Sequence, residues 1–170
     1  MGTCATMTST AIDYLETYLQ DHRAGAELGS DLAHRLADEN MGTPYEDFLV
    51  GLAQEIDQDV ATLEDIMGRF GVSKSVVKTA GAKVGEKIGR LKPNDQLSGY
   101  SPLSRVIEFE GLRSGVQGKL GLWDSLAQIA PHHDRLDEAD VAELQAKAER
   151  QLEGLREHHK MAAAEAFTEA

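Results

Sequence analysis

Apolar residues recur three and four positions apart along nearly the whole chain, the spacing of one face of an α-helix. The first such run predicts a helix from about Ala11 to Glu39, with the stripe Leu15, Tyr18/Leu19, His22, Gly25/Ala26, Gly29, Leu32/Ala33 and Leu36. Thr10 stands where a capping side chain accepts a backbone N–H, and Gly42 follows the end. Thr43-Pro44-Tyr45-Glu46 reads as a second start: threonine caps, proline suits the first helical position, and glutamate completes a capping box. The second stripe is Phe48, Leu52, Ile56, Val60, Leu63, Met67 and Phe70, with Glu55 and Asp59 beside it. Gly71 ends it, and Val72 is placed for the apolar contact of a Schellman turn.

A third, shorter helix is predicted from about Ser73 to Leu91, with Val76, Val77, Ala80, Val84, Ile88 and Leu91 on one face. Gly81, Gly85 and Gly89 lie along one side of it, where another backbone can approach closely. Each glycine costs about 1 kcal/mol against alanine. Pro93 stops this helix, and residues 93–101 read as a loop. Ser101-Pro102 repeats the cap-then-proline start for a fourth helix to about Ala130, in which Gly111, Gly115, Gly118 and Gly121 are again small-residue positions. Asp137 and Asp140 open a fifth, with the stripe Val141, Leu144, Ala148, Leu152, Leu155, His158/His159, Ala162 and Ala166/Phe167. Aromatic content is 5%, and β-branched residues do not alternate with polar ones, so no strand competes.

Tight turns join the first helix to the second and the fourth to the fifth, which predicts two antiparallel hairpins. The third helix and its loop can carry the chain back along the bundle between them. The predicted fold is therefore all-α: an antiparallel four-helix bundle of two helical hairpins with a shorter basic crossover helix. An up-down five-helix bundle is the alternative. Residues 1–10 are expected to be frayed or disordered and 11–168 to form a single domain, large enough to fold without staples.

The order of elements resembles that of ferritin-like bundles. The strings YLQDHRAGAELGSDLAHRLA, VGEKIGRLKPND, SPLSRVIEFEGLRSGVQGKLGLW and AERQLEGLREHHKMAAAEA resemble those of uncharacterised bacterial ferritin-like proteins, over residues 11 to 168. The resemblance implies a fold and no established activity. A di-iron site on such a bundle takes a carboxylate from each of two helices and Glu-x-x-His from each of the other two. Here Glu55-Ile56-Asp57-Gln58 has glutamine in the histidine's place, and Glu153-Gly154-Leu155-Arg156 has arginine. Asp31-Leu32-Ala33-His34 is an aspartate version, but His34 sits nearly opposite Leu32 and faces water.

A polar set still falls on or beside the apolar stripes: His22, Glu55, Asp59, Glu110, Arg113 and His158. With the crossover topology, counting about 1.5 Å per residue from the helix ends puts His22 level with Asp59, Glu55 with Arg113, and Glu110 with His158. The first reading is internal pairing, with Glu55–Arg113 as a structural ion pair and His22 hydrogen-bonded to Asp59. The second is a partly hydrated core pocket for a small ligand or for a metal, Fe or Mn, held by His22, Glu55, Asp59, Glu110 and His158. The third is plain surface exposure. His132-His133 and His158-His159 are poor shared ligands, because helical neighbours point about 100° apart. Trp123 reads as packing, and Cys4 has no motif around it. Nucleotide-loop and nucleophile-elbow motifs are absent.

Charge adds a constraint. The net charge is -12, yet residues 70–120 hold nine Lys/Arg against four acids, a local +5 that leaves -17 elsewhere. So acidic a chain is a poor nucleic-acid binder. Lys74, Lys78, Lys83, Lys87 and Arg90 are expected to meet acidic surface within the chain or across a homodimer, with an anionic membrane surface as the other contact. One cysteine, no basic leader and no apolar run approaching about 18 residues predict a cytoplasmic protein without an integral membrane segment. The functional expectation is a structural or interaction protein with no cofactor and no working di-iron centre. The alternatives are a metal-binding protein or metal-dependent oxidoreductase with a degenerate core site, and peripheral anion contact through the basic helix.

Overall fold

The computed structural model describes residues 8–73 and 100–168. They form four long α-helices: α1 (Ser9–Glu39), α2 (Glu46–Phe70), α3 (Pro102–Ile129) and α4 (Glu138–Thr168). A single 3₁₀ turn, Ala130–His132, precedes α4, and no strand occurs among the described residues. The predicted basic helix, with its glycine row and Lys74, Lys78, Lys83, Lys87 and Arg90, lies outside the described residues, as does Cys4.

The predicted punctuation mostly operates. Ser101 Oγ accepts the Ser104 N–H at 3.1 Å with Pro102 behind it. Gly71 adopts φ 73°, where a side chain would be strained, and the Val72 N–H closes the turn on the Met67 carbonyl at 2.9 Å. Asp137 Oδ1 accepts the N–H groups of Ala139 and Asp140 at 2.8 and 3.2 Å. Two starts differ. Thr8, not Thr10, caps α1, accepting the Ala11 N–H at 3.3 Å. In the second start, Glu46 reaches back to the Gly42 N–H at 2.6 Å, while Thr43 spends its hydroxyl on the Asn40 carbonyl at 2.6 Å. The helix therefore begins at Glu46, past the proline.

Leu19, Leu36, Leu49, Phe109, Trp123 and Leu155 are almost fully buried and make one core with apolar residues from all four helices. Each such side chain contributes about 1.5–3 kcal/mol of transfer free energy. Between α1 and α2, Arg23 meets Glu64, while Ser30 and His34 both bond to Asp57. At one end of the bundle, Asn40, Tyr45, Arg105 and Glu165 come together. At the other, Tyr18 bonds to Gly121 and Ser125, and Phe70 packs on His133. Phe167, predicted to lie on the core stripe, is exposed.

Candidate functional site

The polar heart of the bundle is built around Asp59. It follows Ile56 on the inward face of α2 and is only 5% exposed. A carboxylate so buried must be paired or it would take up a proton. Lys119 Nζ from α3 donates to Asp59 Oδ2 at 2.5 Å, and Lys147 Nζ from α4 donates to Oδ1 at 2.7 Å. Gln151, one turn beyond Lys147 and itself buried, accepts from Lys119 at 2.5 Å. Its amide nitrogen donates to Glu55 Oε2 at 2.8 Å and to Asp59 Oδ2 at 3.2 Å. Two carboxylates, two ammonium groups and one amide thus close on one another across three helices. Burial pushes the Lys119 ammonium below its ordinary value, and the Asp59 charge opposes that shift.

The sequence-predicted set is only partly brought together. His22 and Asp59 line one cavity, but His22 packs edge-on against Tyr18 at 4.5 Å rather than bonding to Asp59. Glu55 is exposed and bonds to Gln151. Among the described residues it makes no ion pair with Arg113. Glu110 is also exposed and reaches His159 at 3.2 Å, one residue from the predicted His158. His158 instead stacks on Phe48 with ring centres 3.9 Å apart and shares its Nδ1 hydrogen with the Gly154 carbonyl at 2.8 Å. The five predicted metal ligands therefore do not converge. No group of three His, Cys, Asp or Glu side chains is placed to hold a metal among the described residues. His34 is half exposed and bonds to Asp57 at 2.8 Å.

Sequence reasoning missed Lys119, Lys147 and Gln151. Lys119 continues the row Leu112, Val116, Trp123, and Gln151 continues Ala148, Leu155. A polar residue in an apolar stripe was the available signal. A second network was missed for the same reason. Arg105 heads the row Phe109, Leu112, is 8% exposed, and donates to Asn40 Oδ1 at 2.5 Å and Glu165 Oε2 at 2.7 Å. Tyr45 donates to the same Glu165 oxygen at 2.9 Å and lies under the Arg105 guanidinium. The Arg105 bond holds the Glu165 carboxyl below its usual range, and burial raises the Tyr45 and Tyr100 hydroxyls.

Beside the Asp59 cluster, between α1, α2 and α3, is a half-enclosed cavity of about 450 Å³. Its walls are mainly apolar, with Ile56, Leu63, Leu112, Val116 and Trp123, and its polar members include His22, Asp59 and Lys119. The glycines of α1 and α3 create this space. A Cβ added at Gly25, Gly29, Gly115 or Gly118 would meet nothing within 4 Å. Of this group, only Gly111 allows a close approach, with Leu32 Cδ2 3.1 Å from an added Cβ. Burial holds the His22 imidazole below its ordinary value, with Asp21 opposing. No helix among the described residues is long and apolar enough to cross a membrane. No protein-family model, curated protein or solved structure matches the chain.

Proposed function

We propose that this chain is a ferritin-like bundle that works as a structural or interaction protein, with an ion-paired cluster where a di-iron protein of that fold would hold metal. One observation carries this reading: each oxygen of the buried Asp59 carboxylate already accepts from a lysine ammonium. A divalent cation there would have to expel two positive charges, and His22, which lines the same cavity, makes no hydrogen bond to the carboxylate among the described residues. The groupings at the two ends of the bundle support the connectivity. The end of α1, the starts of α2 and α3, and the end of α4 share one network. This shared network supports the reading of two antiparallel hairpins side by side. Metal analysis of untagged protein purified without chelator tests the function. Substoichiometric transition metal and no uptake of Fe(II) or Mn(II) are expected; one tightly held equivalent lost in Asp59→Asn would establish the metal-binding alternative instead.

Self-association belongs to the same proposal. Met41, Val50, Leu103, Met161 and Phe167 are large apolar residues exposed toward the Arg105 end of the helices. Apolar residues exposed at one end of a bundle are candidates for a contact surface. Light scattering is expected to show a dimer that Met41→Lys with Phe167→Lys dissociates. A wild-type monomer at every concentration removes this part.

A further inference from the structure

We infer that the cavity between α1, α2 and α3 is a binding site for a small, uncharged, mainly apolar molecule, aromatic or alicyclic, that carries one hydroxyl group.

Three observations define that chemistry. The volume, about 450 Å³, lies within the range of small-molecule sites, which run from about 300 to 1,000 Å³. The walls are apolar side chains plus the rings of Tyr18, His22 and Trp123, which suit a ring-shaped ligand. Among the polar groups of the lining, Lys119 offers a donor and His22 an acceptor. Lys119 has three N–H donors and spends two on Asp59 and Gln151, so one is left for the cavity it lines. The His22 ring nitrogens have no hydrogen-bond partner among the described residues, and burial favours the neutral imidazole, which keeps an acceptor lone pair. A ligand hydroxyl can donate to that nitrogen while its oxygen accepts from Lys119.

The same arrangement selects against charged ligands. The Lys119 ammonium is already matched by Asp59, and Asp21 adds a second carboxylate to the lining. A carboxylate ligand would face both acids, and a cationic one would compete with Lys119 and Lys147 for Asp59. The glycines matter because they hold the space open without being needed for packing. A Cβ at Gly25 or Gly115, both in the cavity lining, meets no neighbour within 4 Å, so a larger residue there is expected to fill the cavity with little strain on the helices.

The chain has a single tryptophan, Trp123, and it lines the cavity, so one indole N–H resonance reports occupancy. The full-length ¹⁵N-labelled protein is titrated with 4-ethylphenol, ethylbenzene and 4-ethylbenzoate. A saturable shift of the Trp123 signal is expected, with 4-ethylphenol binding about fivefold tighter than ethylbenzene, the ratio one hydrogen bond supplies, and 4-ethylbenzoate binding weakest. His22→Leu should narrow the gap between 4-ethylphenol and ethylbenzene, leaving only the contribution of the Lys119 donor. Gly115→Leu should abolish the shift with helicity retained; should that variant fail to fold, Gly25→Leu on the facing helix makes the same test. Absence of a saturable shift with either neutral probe overturns the site. So does binding that survives both filling substitutions. Tightest binding by 4-ethylbenzoate overturns the ligand class.

Discussion

Replacing Asp59 by leucine is predicted to be among the most damaging single changes in the protein. The substitution removes the carboxylate that sits between two ammonium groups, 2.5 and 2.7 Å from its oxygens. Both lysine side chains are largely buried, at 15% and 19% exposure, so each would be left as a like charge beside the other. Breaking a buried pair by removing one partner costs about 3–5 kcal/mol. The lysine stems are flexible and can swing partly outward, which places the expected loss near the lower end, about 3 kcal/mol. With a urea slope of about 2 kcal/mol per molar, the midpoint should fall by about 1.5 M. The informative arm is the rescue. Lys119→Met and Lys147→Met added to Asp59→Leu replace the three charged groups at the centre of the cluster with apolar ones and leave Gln151 bonded to Glu55, which should recover most of the lost stability. Urea unfolding followed by far-UV circular dichroism measures both. A loss below about 1 kcal/mol for Asp59→Leu, or a triple variant no more stable than the single one, would refute electrostatic coupling across the three helices.

Three further outcomes follow from other parts of the bundle. Gly115→Ala should stabilise by up to about 1 kcal/mol from helix propensity alone, since its Cβ enters open space; Gly154→Ala places Cβ 2.5 Å from a ring carbon of Phe48, itself stacked on His158, so thermal unfolding should rank it about 1–3 kcal/mol below Gly115→Ala. Burial lowers the His22 imidazole from 6.5, so the unfolded chain binds the proton first and stability is lost as pH falls through that value; His22→Leu should flatten this slope in urea midpoints measured between pH 7 and 5, and an unchanged slope would show His22 to be uninvolved. Arg105→Met leaves Asn40 without its donor and Glu165 without its cation, so it should cost about 2–3 kcal/mol; because Arg105 holds the Glu165 carboxyl below 4.5, the stability they share should fade as pH drops through that value, and only in protein that keeps Arg105.

The helical type and most ends of the four described helices were legible because they follow from local chemistry. Pro102 after Ser101, Gly71 before Val72 and Asp137 before Glu138 each satisfy orphan backbone groups within a few residues, and nothing distant interferes. The site was less legible because which helices face each other, and at what rotation, is set by packing. Counting residues put Glu110 at the right level and missed its partner by one position, His159 for His158. The same count puts His22 level with Asp59, but the helix rotation turns Lys119 and Lys147 to it instead. Lys119 and Gln151 stand on the same stripes, and their side chains are long enough to close the gap between α2, α3 and α4. The cavity was hidden for a different reason. Glycines spaced along α3 suggest close packing, whereas in the folded bundle Gly115 and Gly118 adjoin empty space.

The central claim is that lysine ammonium groups, not a metal ion, neutralise the buried carboxylate of α2. A crystal structure from crystals grown with Mn(II), with anomalous diffraction data, addresses it at the atoms concerned. The account predicts Lys119 and Lys147 nitrogens within hydrogen-bond reach of Asp59 and no anomalous peak beside it. A manganese peak ligated by Asp59 and Glu55, with the two lysines turned away, would contradict it.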